Sequence, residues 1–257
     1  MSAFKLLTVG NPKIAKGTAH GYLTAVLHLA PGSLSGFNVC PKATEGCLAA
    51  CLNTAGRGGL MAGAPRLTHA DVAAGKVNTI QAARIRRTRW YFEDRHGFML
   101  ALVADVRKVI KLAASLGLKP AIRLNGTSDI PWERVVCPIP TPSGATLNAA
   151  NIMAVFPTVQ FYDYTKRPNR RDLPENYTLT FSLAEGNDRD AAQALANGMN
   201  VAAVFHKVPL AYTVGPLNSV SVIDGDAHDL RFLDPRGVIV GLKAKGNAKR
   251  DTSGFVR

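Results

Sequence analysis

About seven short apolar runs recur along this chain of 257 residues, at 22–29, 120–125, 158–163, 178–183, 200–205, 219–224 and 237–242. Polar residues repeatedly follow them. Several carry apolar residues at odd and even positions alike. Strands buried on both faces have that character, and a parallel sheet covered by helices is where such strands occur. The longest apolar stretches, 21–31 and 200–206, fall well short of the roughly 20 residues needed to cross a bilayer.

The segments between the runs read as helices. Thr68 or Asp71 caps a pattern that continues through IQAARIRRTRWYFEDR, with apolar positions at Ile80, Ala83, Ile85 and Trp90. A second helix over 98–116 aligns Leu100, Val103, Val106, Ile110 and Leu112 or Ala113, and Gly117 ends it. A third, 188–197, is capped by Asn187 or Asp188 and stopped by Gly198. Alternating strands and helices predict an α/β fold, a partial or complete (β/α) barrel of mostly parallel strands. With 47% hydrophobic residues and no internal repeat, residues 1–257 are expected to form one domain, ending in a basic tail from about 243 to 257.

Lys and Arg number 31 against 18 Asp and Glu, a formal charge of +13. The excess gathers in 83–97, 164–172 and 243–257. Such concentrations favour a polyanionic partner, nucleotide or nucleic acid, through counterion release. Arg84, Arg86, Arg87 and Arg89 are the candidate phosphate contacts; at helical spacing Arg86 and Arg89 share one face, and Arg84 and Arg87 another. The N-terminal stretch MSAFKLLTVG has no signal-peptide h-region, and the cysteine pattern is not that of a secreted disulfide framework. Both point to a cytoplasmic protein that does not enter a membrane. A host protein is a further candidate partner for the basic surface, and nothing in the pattern sets an oligomeric state.

Three of the four cysteines, Cys40, Cys47 and Cys51, fall in one short segment after the first apolar run, and Cys137 stands apart. Clustered thiolates converge on metals. Thr44 can cap a short helix that puts Cys47 and Cys51 on one face. Three cysteines leave one iron of a [4Fe-4S] cluster open, whereas structural zinc closes with four protein ligands. Zinc with His20, His28 or Cys137 as fourth ligand is the alternative, as are buried structural thiols, and Cys137 could also close a cluster.

Polar residues after the runs form a second set of candidates. Arg123, Asn125, Ser128 and Asp129 in RLNGTSD suit a cofactor's carboxylate, phosphate, ribose or amino group, with an Asx-type turn as the plain alternative. Asp163 and Tyr164 in FYDYTK are candidate catalytic groups, and strand alternation keeps Asp163 from sharing a face with its tyrosine neighbours. Glu185, after the next run, is a third candidate catalytic group. Gly56, Gly58 and Gly59 beside Arg57 offer a weak phosphate-loop signal that lacks the Gly-Lys-Ser/Thr ending, and DGDAHD offers acids and His228 to a divalent ion.

The three-cysteine loop after the first strand and the order of elements resemble the radical SAM superfamily. That resemblance implies a partial (β/α) barrel whose open iron binds S-adenosylmethionine, although the spacing here is Cys-x6-Cys-x3-Cys and no Gly-Gly-Glu segment is present. More specifically, KLLTVGNPKIAKG, CLAACLNTAGRGG, RLNGTSDI, VQFYDYTK, LTFSLAEGND, GVIVGLKAKG and DTSGFV resemble a phage protein family catalogued as gene product eighty-eight. This implies a phage origin and a location in the host cytoplasm, and supplies no reaction. The expectation is therefore a radical SAM-like iron-sulfur enzyme acting on a nucleotide or nucleic acid. A nucleic-acid-binding protein with a structural zinc or iron-sulfur site is the alternative.

Overall fold

In a computed structural model describing residues 5–9, 16–141 and 146–257, the apolar runs become strands of one sheet. Residues 10–15 of KLLTVGNPKIAKG, and 1–4 and 10 of the N-terminal stretch, lie outside the described residues. In chain order the strands are β1 (Leu7–Thr8), β2 (Tyr22–Leu27), β3 (Lys119–Arg123), β4 (Cys137–Pro140), β5 (Thr146–Ala149), β6 (Gln160–Thr165), β7 (Tyr177–Ser182), β8 (Val201–Phe205), β9 (Ala211–Val214), β10 (Leu217–Asp224) and β11 (Ile239–Lys243). The helices are α1 (Glu45–Ala49), α2 (His69–Ala73), α3 (Thr79–Glu93), α4 (Arg95–Ser115), α5 (Ile152–Val155) and α6 (Asp188–Ala196).

The main sheet has nine strands in the order β1-β2-β3-β6-β7-β8-β11-β10-β9, and β4 with β5 forms a separate antiparallel pair. Every pairing from β2 to β10 is parallel. The two edges differ: β1 runs antiparallel to β2, and β9 antiparallel to β10. No pairing joins β1 to β9 among the described residues, so the sheet is open there and does not take the closed form of the expected barrel, while the mostly parallel α/β arrangement is as expected. Strands β2, β3, β6, β7 and β8 keep sequence order, and β11 then enters between β8 and β10.

Helix α4 packs on this sheet through Phe98, Met99, Leu102, Val103, Val106, Val109 and Ala113, which are buried at three- and four-residue spacing. The stripe is turned about one position from the expected one, with Leu100, Ile110 and Leu112 only half-buried. Each buried Leu or Val contributes roughly 1.5–3 kcal/mol, which makes this face the chief source of stability in the first half of the chain. Asp105, in the same stripe, accepts hydrogen bonds from the Leu6 and Leu7 amides at 2.7 and 3.1 Å and pins β1 to the sheet.

The helix expected from Thr68 is two helices. Thr68 and Asp71 form a reciprocal capping box on α2, Gly75 breaks it at φ +88°, and Asn78 starts α3 by accepting from the Gln81 amide. Helix α4 begins at Arg95, capped by Asp94, before the expected start at residue 98. No helix among the described residues is long and apolar enough to cross a membrane.

Candidate functional site

A cavity of about 200 Å³ opens at the C-terminal ends of β3, β6, β7, β8 and β11. In sheets built of parallel strands this is the end where ligands are bound, because loops there diverge and leave a crevice. One wall is the segment between β2 and α3, and Cys40, Cys47 and Cys51 all line it. Thr44 accepts from the Cys47 amide and caps α1, as the sequence predicts, and the Gly46 amide donates to Glu185 at 2.7 Å. A Cβ on Gly46 would collide with the Ser253 hydroxyl, so only glycine lets the last residues of the chain press against this helix.

The thiols are held by the protein itself. Cys40 Sγ donates to the Thr127 carbonyl at 3.8 Å, and Cys51 Sγ accepts from the Asn53 amide at 3.5 Å. Burial pushes the Cys40 thiol up to about 12 and the Cys51 thiol up to about 11, and each of these two is raised further by its cysteine neighbours. Arg84 and Lys166 pull Cys51 the other way. Both thiols are protonated at neutral pH, and a metal would displace those protons. As placed, no group of three His, Cys, Asp or Glu among the described residues forms a ready metal cage. Three thiols nevertheless share one wall, and none of the fourth ligands expected for zinc lines the cavity. Cys137 is buried in the core on β4, His20 packs edge-on to His228 at 4.6 Å, and His28 is a buried neutral imidazole lowered to about 3 by burial and then by Arg84 and Arg123.

What fixes this wall is helix α3. Its buried residues are Gln81, Thr88 and Tyr91, with Arg84 half-buried on the same face, while the expected core positions Ile80, Ala83, Ile85 and Trp90 are only partly covered. That polar face meets the irregular segment after Cys51, whose carbonyls lack regular partners. Gln81 donates to the Asn53 and Gly58 carbonyls, both at 2.7 Å, and Arg84 to the Asn53 carbonyl and side chain. Asn78 and Arg66 secure four more carbonyls between them. The glycine cluster serves close packing: a Cβ on Gly59 would strike the Thr54 carbonyl. It is a pinned turn, and its Arg57, Gly58 and Leu60 carbonyls are engaged by Asn78.

The opposite wall is cationic. Arg123 pairs with Asp229 at 3.1 Å and lies over the Tyr164 ring at 4.5 Å, and the Tyr164 hydroxyl donates to Asp229 at 3.4 Å. Burial, with Asp229 adding to it, holds the Tyr164 phenol well above its ordinary value, so it stays a neutral donor. Lys166 donates to the Ser182 hydroxyl at 2.9 Å, Lys245 pairs with Asp226, and Lys243 completes the row. Phe255 closes the rim beside Lys166. It is held there because β7 and β8 stop pairing at Ser182 and Ala202, and Val256 then pairs with Val204 in parallel. The final residues expected as a basic tail therefore pack: Ala244, Ala248, Phe255 and Val256 are buried with Ala50 and Ala184.

The other candidates divide by strand face. Asp163 is fully buried behind the cavity, accepting from the Asn125 amide at 2.6 Å and the Tyr177 hydroxyl at 2.9 Å; burial raises it to about 7. It does not line the cavity, unlike Tyr164. Asn125 reaches the cavity but its side chain is engaged: Oδ1 accepts from Ser128, Ile130 and Trp132, and Nδ2 donates to the Ile130 carbonyl and Asp163. Asp129 lines the cavity while accepting from Thr165 and the Lys166 amide. Glu185 sits under α1 through Gly46, outside the lining. In DGDAHD, Asp226 pairs with Lys245, Asp229 with Arg123, and His228 faces Arg231, so the acids do not pool. Of the basic run, Arg86 and Arg89 are exposed, Arg84 and Arg87 half-buried. Phe255 and Tyr177 are the participants that sequence reasoning passed over; the apolar pair Phe255 and Val256 inside a charged tail was the available signal for the first.

No curated protein and no solved structure matches the chain significantly. One family model does match, Gene product 88, over residues 5–257, with the cysteine wall and the cationic wall both inside the matched span. The chain belongs to the Gene product 88 family.

Proposed function

We propose that this is a phage iron-sulfur protein, radical SAM-like in type, whose [4Fe-4S] cluster is held by Cys40, Cys47 and Cys51 and whose substrate is a nucleotide or nucleic acid. The observation that carries the reading is that three thiols from separate turns of one segment line a single cavity at the C-terminal strand ends, facing a row of cations. When bound, such a cluster supplies a redox-active iron with one position left for a cofactor such as S-adenosylmethionine. The chain's own residues do the rest. Thr44 and Glu185 hold the Cys47 turn, Gln81 and Arg84 hold the turn after Cys51, Arg123 and Tyr164 present a cation and a neutral phenol, and Leu48 and Phe255 limit water.

Anaerobic reconstitution with iron and sulfide tests it. The expected product is a brown protein with an electron paramagnetic resonance signal on reduction, altered by added S-adenosylmethionine. A colourless protein without iron overturns the cluster, and an unaltered signal overturns the S-adenosylmethionine part. Exposure of Arg86 and Arg89 on one face of α3 favours a second reading, nucleic-acid binding without catalysis. Gel shifts across a salt series check it; no shift even at low salt excludes it.

A further inference from the structure

The cationic wall carries more positive charge than the described residues neutralise. Arg123, Lys166, Lys243 and Lys245 line the cavity against the carboxylates of Asp129 and Asp229. Arg123 is matched by Asp229 and Lys245 by Asp226, which reaches in from outside the lining, while Asp129 faces Arg170 at 3.7 Å. Lys166 and Lys243 form no ion pair among the described residues. Lys166 is half-buried and is held over the cavity by Ser182 at 2.9 Å, with the Phe255 ring 5.5 Å away. Lys166 is thus half-buried beside the cavity without a counter-charge, Lys243 stands exposed on the same wall, and two such ammonium groups bordering one cavity suit an anion that arrives from outside.

We infer that Lys166 and Lys243 form a subsite for a nucleotide phosphate, seated across the cavity from the three cysteines. A phosphate offers its oxygens to both ammonium groups and to the Ser182 hydroxyl at once, and charge-assisted bonds of this kind are roughly twice as strong as neutral ones. The base and sugar then extend toward the apolar surface of Leu48 and Phe255 and the Tyr164 phenol, all of which line the same space. This deepens the proposed function by placing its substrate, and it needs no cluster.

Inorganic pyrophosphate, titrated calorimetrically into the metal-free full chain, is the probe. Saturable binding to one site is expected, about tenfold weaker or more in Lys166→Gln/Lys243→Gln and changed less than about twofold in Lys249→Gln/Arg250→Gln, whose residues are exposed outside the cavity. Absence of saturable binding, or equal weakening in both double variants, overturns the subsite. Competition then identifies the source. Displacement by deoxynucleoside monophosphates assigns it to a free nucleotide, and displacement only by a single-stranded oligonucleotide assigns it to a strand. Displacement by neither overturns the nucleotide assignment. Because iron takes no part, failure here leaves the cluster reading standing, and failure of reconstitution leaves the subsite standing.

Discussion

Strands β3 and β6 carry polar residues on both faces, and the two faces treat them in opposite ways. Behind the sheet, Asn125, Asp163, Tyr177, Trp132, Arg170 and Glu133 form a network in which most buried donors find acceptors within the chain: Arg170 pairs with Glu133 and donates to the Tyr177 hydroxyl, while its Nη1 has only the carboxylate of Asp129, at 3.7 Å. In front, Arg123, Tyr164 and Lys166 face a cavity shared with three thiols, and Lys166 has no carboxylate partner among the described residues. A nearly saturated polar network has little capacity left for a ligand and serves to specify the fold. An incompletely matched one costs stability and marks where something else is to bind. Polarity at a strand end therefore does not locate a site; unmatched polarity does.

The sharpest way to break this comparison is to empty the back network. Asn125→Ala strands the Trp132 indole N–H, the Ile130 amide and part of the Asp163 carboxylate, and should cost about 3–4 kcal/mol in denaturant unfolding. Lys166→Gln on the front face should cost less than about 1 kcal/mol. Equal losses would erase the distinction.

Phe255→Ala comes next, at about 2–3 kcal/mol, since the ring is mostly buried but borders open space. It should also speed alkylation of the cavity cysteines, read by mass spectrometry on native protein, while Cys137 stays protected in the core. Unchanged alkylation would mean that the rim does not guard the cavity.

The back network also has a pH signature. Asp163 rises from 3.8 to about 7 on burial, so between those values the folded chain keeps a proton that the unfolded chain has lost. Its contribution to stability therefore falls as pH rises through that window. His28, lowered from 6.5 to about 3, works in the opposite sense: its contribution is present above 6.5 and is lost as pH falls toward 3. Asp163→Asn removes only the first effect. Wild-type stability relative to this variant should drop by several kcal/mol, on the order of 4, between about pH 4 and pH 7.5, measured by urea unfolding; a flat difference would refute the buried carboxylate's role.

The smallest expected effect belongs to the thiols. Cys47→Ser in metal-free protein should shift stability by less than about 1 kcal/mol, because the half-buried side chain lines a cavity and only borders the small cluster of Ala50, Ala184 and Phe255. A loss as large as that of Asn125→Ala would assign the cysteines to packing.

The strands of the parallel sheet were legible because their residues are apolar on both faces, and Thr44, Thr68 and Gly117 mark element ends as read. The sheet's edge was not: β9 is short and largely exposed, so Ala211–Val214 has no strong alternation, yet it forms one end of the sheet by pairing antiparallel with β10. Helix α3 misled for a different reason. Ile80 and Ile85 suggest an apolar face, but the helix packs on a turn whose carbonyls need donors, and Gln81 and Arg84 win the interface. Alternation correctly separates Asp163 from Tyr164. Which of them faces the cavity depends on Tyr177 and Trp132, distant in sequence, and a local pattern cannot carry that. The clustering of the cysteines anticipates their common wall, whereas the hold of Thr127 on Cys40 belongs to the tertiary fold.

In the proposed cluster Cys40, Cys47 and Cys51 act together and without Cys137. Iron and acid-labile sulfide, measured in anaerobically purified protein and in single Cys→Ala variants at all four positions, decide it. About four iron and four sulfide per chain are expected in the wild type and in Cys137→Ala, with loss of most of both in each of the other three. Stoichiometric zinc without sulfide, or a Cys137→Ala variant that loses its iron as the others do, would contradict it.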